Sequence, residues 1–141
     1  MTFQSDSWLQ STRAMYADGV IYYSAPKGRY RKQFKRLERQ LGINFERVND
    51  PWEAEIRCWY RELSYAAGRA QRAPGNAFYL RTDPRYKGTH VEAHEIGHAL
   101  GLGHTSHEKS IMSMDKSWSL GKNYLTRHDR ANILEVFDGL L

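Results

Sequence analysis

One cysteine, Cys58, stands in 141 residues. No disulfide can therefore form within the chain, and a zinc knuckle built on several cysteines is excluded. Proline is sparse, with four in all, and no internal repeat or low-complexity tract breaks the pattern. No apolar run approaches the roughly 20 residues that span a bilayer. The first residues, MTFQSDSWLQSTRAMYADG, lack a basic stretch followed by an apolar one, so a signal peptide is not expected. Location stays open among cytoplasm, virion and unconventional export. What remains is 40% hydrophobic and 26% charged, the composition of one ordinary globular domain.

The net charge of +5 is modest but uneven. Lys27, Arg29, Arg31, Lys32, Lys35, Arg36 and Arg39 crowd one segment that holds a single acid, Glu38. Tyr30, Phe34, Leu37 and Leu41 recur there at helical spacing, which predicts an amphipathic helix over about 30–41 with a basic outer face. No nucleic-acid motif accompanies it, so a solvated face is favoured over a nucleic-acid or membrane patch. A monomer is expected.

Around that helix the pattern predicts strands at 20–24, 43–48 and 54–62. A hairpin is expected over 68–82, turning at Pro74-Gly75-Asn76. In the third strand Ile56, Cys58 and Tyr60 share one face and Arg57, Trp59 and Arg61 the other, making Cys58 a small core residue. Thr126, with Asp129 three residues on, predicts the start of a last helix whose stripe is Ile133, Leu134 and Phe137. Strands mixed with helices in this order indicate a layered α/β domain.

The segment HEIGHALGLGH, residues 94–104, carries the chemistry. His94 and His98 lie one helical turn apart, so two imidazoles can converge on one ion. Glu95 sits about 100° round the helix, near an ion without being directed to ligate it, which suits a base acting on metal-bound water. Gly101 can take positive φ and end the helix, and Gly103 adds freedom, so His104 can return as a third ligand. Three neutral imidazoles with an open position describe a catalytic zinc site. His90 extends the spacing backward, but His90 and His98 are about 80° and 12 Å apart on a helix, too far to share an ion. His90 is expected at the helix start, in solvent or behind a ligand. His107 and His128 read as surface or structural histidines.

His94, Glu95, His98, Gly101 and His104 together resemble the signature of the metzincin zinc endopeptidases. Ser110-Ile111-Met112 resembles that family's methionine turn, with Met112 as the floor beneath the metal, and the run to Met112 is most similar to the matrixin branch. The last helix, 125–139, is also similar to the matrixins' closing helix. The resemblance implies an α+β, metzincin-like fold: a twisted mixed sheet of about five strands, an N-terminal helix, an active-site helix, a Met-turn and a C-terminal helix. It implies one catalytic domain over 1–141, divided into an upper part, 1–88, and a lower part, 89–141.

The activity implied is zinc-dependent hydrolysis of protein or peptide substrates, with His94, His98 and His104 as ligands and Glu95 as general base. The alternative is a catalytically weak module that binds peptides or a partner. An extended peptide would pair with the strand at 68–73. The insertion that holds structural zinc and calcium in animal matrixins has no counterpart between Glu62 and Thr89, so one catalytic ion is expected and no structural zinc or calcium. No cysteine-switch propeptide is seen, so latency by that route is not expected. Ser113 and Met114 follow Met112 where some branches place a tyrosine nearby, so no tyrosine helper is assigned. Trp118 either lines the pocket after the scissile bond or packs in the core.

Overall fold

A computed structural model describes residues 2–26, 29–86, 90–106, 109–113 and 125–140. The helices are α1 (Asp6–Met15), α2 (Arg29–Leu41), α3 (Val91–Ala99) and α4 (Arg127–Val136). The strands are β1 (Ile21–Ser24), β2 (Phe45–Arg47), β3 (Ile56–Tyr60), β4 (Gly68–Ala73) and β5 (Ala77–Thr82). They form one mixed sheet in the order β2-β1-β3-β5-β4, all parallel except β4, which runs antiparallel to β5 at the edge. This is an α+β domain. Among the described residues no helix is long and apolar enough to cross a membrane.

The basic helix forms where its spacing predicts. Tyr30, Phe34, Leu37 and Leu41 are buried. Phe34 stacks on Tyr23 of β1, ring centroids 3.9 Å apart, and meets Phe45 of β2 edge-on. Burying each such side chain stabilises the fold by about 1.5–3 kcal/mol, enough to override the repulsion among the cations opposite. Cys58 is buried in β3. Arg57, on the other face, stacks over Trp52 and Tyr79. The hairpin has its predicted ends, and Gly75 and Asn76 supply the positive φ its turn needs.

The helix α1 is an element that the sequence reading did not anticipate. Ser5 caps it by accepting the Trp8 N–H, and Ser11, Thr12 and Met15 bury its inner side. Trp8 packs on Phe78 of β5, centroids 5.2 Å apart. Arg72 of β4 donates to the hydroxyls of Ser7 and Ser11, and Arg13 donates to the carbonyls of Val136, the last residue of α4, and of Asp138 just beyond it. So α1 ties the sheet edge to the last helix.

Every residue of α3 is buried, although Glu92, His94, Glu95 and His98 are among them. Polar groups in such a place need partners, or each costs on the order of 1–3 kcal/mol. Glu92 has one in the Tyr60 hydroxyl, which donates to its carboxylate. The partners of the other three define the site.

Candidate metal centre and cleft

The α3 helix ends where the sequence places its stop. Gly101 has φ +102°, a conformation that an L side chain rarely adopts, and its space is closed by Leu9 and Val136. The chain reverses there and carries His104 back toward the helix. Ligand-capable atoms of His94, His98 and His104 lie within 4.8 Å of one another. The Nε2 atoms of His94 and His104 are 3.3 Å apart.

The ring orientations fit a metal. His94 Nδ1 lies 2.5 Å from the Ile111 carbonyl, and His98 Nδ1 lies 2.7 Å from the Leu102 carbonyl. A carbonyl only accepts, so each Nδ1 carries the proton and each Nε2 keeps its lone pair for an ion. Burial pushes the imidazoles of His94 and His98 down to about 4 and about 3, which keeps them neutral at physiological pH. Such a set of neutral, converging imidazoles suits zinc. His104 is exposed and leaves that side open to solvent.

Glu95 points to the same place from beneath the sheet edge. A Cβ added at Gly68 would lie 2.6 Å from Glu95 Oε2, so the carboxylate occupies the space that a side chain on β4 would fill. Burial pushes the Glu95 carboxyl up to about 8. Gly68, Ala70, Glu95 and the three histidines line a cleft of about 480 Å³ along the outer edge of β4, which among the described residues has no strand beyond it.

Beneath the helix, Met112 packs where Gly97 leaves room: a Cβ on Gly97 would come 2.5 Å from its sulfur. The turn at Ser110–Met112 is gripped from α4. Asp129, buried, accepts the Ser110 hydroxyl, the Ile111 N–H at 3.1 Å and the Thr126 N–H at 3.2 Å. The same residue completes the predicted capping box with Thr126. The capping role is legible in the sequence, whereas the grip on the turn spans 18 residues and is not.

Residues 76–138 match the sequence profile of the family described as Matrixin. They are matrixin-like. The matched stretch contains the three histidines, Glu95, Met112 and Asp129. Mouse interstitial collagenase B is 36% identical over 50 residues, which cover 36% of this chain and 11% of the collagenase. A solved structure titled as the GM1-bound form of the ECX AB5 holotoxin superposes with a TM-score of 0.60 over 88% of this chain and 80% of that one. At 16% identity this likeness extends to the fold alone.

The remaining histidines separate cleanly. His90, placed by the sequence in solvent or behind a ligand, is buried at 1% exposure just before α3, and burial pushes its imidazole down to about 4. The solvent alternative is thereby corrected, and the position at the helix start holds, with His90 as the residue that precedes Val91. His128 is exposed on α4, near Asn132. His107, Met114 and Trp118 lie outside the described residues.

Proposed function

We propose that the chain is a zinc-dependent endopeptidase in which His94, His98 and His104 hold the ion and Glu95 is the general base. The observation that carries this reading is the convergence of three imidazoles beside a buried carboxylate, in a cleft that borders a free strand edge. A zinc ion there supplies Lewis acidity toward a water molecule and toward the scissile carbonyl.

The rest falls to the protein's own groups. The unpaired edge of β4 hydrogen-bonds an extended peptide and sets its register along the cleft. Glu95, held against Gly68, takes the proton of the attacking water and returns it to the leaving amine. The Ile111 and Leu102 carbonyls fix the tautomers of His94 and His98 throughout. Met112 forms the floor beneath the helix that bears them.

The test is cleavage of an unfolded protein substrate with zinc, with a chelator, and with Glu95→Gln. The wild type is expected to contain about one zinc per chain, to cleave, and to stop with chelator. Glu95→Gln is expected to keep the zinc and lose at least about 10²-fold in rate. Undiminished cleavage by that variant overturns the role of Glu95, and a wild type that takes up no zinc overturns the reading as a whole.

A further inference from the structure

The N-terminal segment also reaches the metal centre, through the last turn of α3 and the chain that follows it. Trp8 Nε1 donates to the His98 carbonyl at 2.7 Å, and the Thr12 hydroxyl donates to the Ala99 carbonyl at 2.8 Å. These carbonyls belong to the last turn of α3, where helix carbonyls lack i+4 partners; the His98 oxygen also accepts the Gly101 N–H at 3.0 Å. The preceding residues then pair with the reversing chain. The Gln4 N–H donates to the Gly101 carbonyl at 3.0 Å, the Gly103 N–H donates to the Thr2 carbonyl at 2.8 Å, and Phe3 forms an antiparallel bridge with Leu102.

One side chain goes further. Gln4 Nε2 donates to the Leu102 carbonyl at 3.1 Å, the same oxygen that takes the Nδ1 proton of His98. The amide nitrogen also lies 3.1 Å from Nδ1 itself. With both lone pairs of the Leu102 oxygen engaged, the carbonyl cannot swing away, and the ring it orients cannot rotate without meeting the amide. Trp8 fixes the backbone of the same histidine. Two contacts from one segment therefore set both ends of His98, and the pairing at Gly101 and Gly103 sets the turn that delivers His104.

The geometry points to residues 2–12 as a clasp on the metal centre, with Gln4 and Trp8 as positioning residues for His98. The inference rests on the reading of His98 as a zinc ligand. It assigns part of the metal affinity to side chains 90 and 94 residues away in sequence, outside the matrixin-like stretch.

The experiment uses the full chain and zinc alone, with affinity measured by competition against a chromophoric chelator. Gln4→Ala removes the amide, and Trp8→Phe removes the indole N–H while keeping a ring against Phe78. Each is expected to weaken zinc binding by about 10-fold or more, as loss of a group supporting a ligand typically does. The visible spectrum of the cobalt-substituted protein is expected to shift in both. Phe34→Leu, in the core under α2, controls for stability: its metal-free melting temperature should fall while its zinc affinity stays at the wild-type value. Zinc affinities of Gln4→Ala and Trp8→Phe equal to wild type, whatever their melting temperatures, overturn the clasp. A wild type that binds no zinc instead overturns the assignment of the metal centre, so the two failures are distinct.

Discussion

Asp129 is linked to His94 through one residue, Ile111: its carboxylate accepts the Ile111 N–H at 3.1 Å, and the Ile111 carbonyl receives the His94 Nδ1 proton at 2.5 Å. The α4 helix thereby holds one ring of the metal centre without touching it. Asp129→Asn puts an amide among donors from Ser110, Ile111 and Thr126. At least one buried donor loses its acceptor, so a loss of about 1–3 kcal/mol in stability is expected in urea unfolding, together with weaker zinc binding. Unchanged values for both would show that the grip on the turn is incidental.

Gly68→Ala tests the placement of the base. A methyl at that position meets Glu95 Oε2 at 2.6 Å, and the flexible carboxylate is the partner that gives way. Zinc content and melting temperature should stay near wild type. The turnover rate should fall by up to about 10²-fold, the effect expected when a reacting group is misplaced by about 1 Å. Steady-state kinetics on a fluorogenic peptide measure this.

Gly97→Ala sets two effects of opposite sign against each other. Alanine favours a helix interior over glycine by about 1 kcal/mol. Here its methyl would sit 2.5 Å from the Met112 sulfur in a fully buried place, and overpacking of that kind costs about 1–3 kcal/mol. A net lowering of the melting temperature is expected. Adding Met112→Ala should recover part of it.

Asp83 provides the pH dependence. Hydrogen bonds from the Arg85 side chain, the Leu63 N–H and the Arg85 N–H hold its carboxyl well below the usual carboxylate range. A depressed folded-state pKa contributes stability that is present above the unfolded pKa, near 4, and lost as pH falls through the folded one. Asp83→Asn should therefore be less stable than wild type at neutral pH, and the two acid-unfolding curves should converge below about pH 4. Parallel curves over that range would contradict the assignment.

The local chemistry of the candidate site is legible in the sequence because covalent spacing on one helix sets it. His94, Glu95 and His98 are placed by the 3.6-residue period, and Gly101 marks the stop by its freedom to take positive φ. The hairpin and the basic helix are legible for the same reason: their periods are local. The support around the site is not. Gln4 reaches His98 across 94 residues, Asp129 reaches Ile111 across 18, and Glu95 fits against Gly68 across a sheet edge. No spacing rule connects such pairs, because the fold brings them together. α1 could have been anticipated from Ser5 as a cap, with Trp8, Leu9, Thr12 and Met15 at helical intervals. For His90 the sequence places the residue at the helix start but leaves solvent and a position behind a ligand open, and tertiary packing decides against solvent.

The free edge of β4 has one more consequence. Among the described residues β4 has no strand beyond it, and an edge of that kind, proposed above to receive an extended peptide, could equally recruit the same strand from a second copy of the chain. The edge bears Arg69, Gln71 and Arg72, all exposed. Two such strands brought side by side would set guanidinium groups close to one another, and like charges across a strand pair are destabilising. The arginines act as gatekeepers. Under the proposed function they would leave the edge open to a substrate and discourage it from pairing with itself.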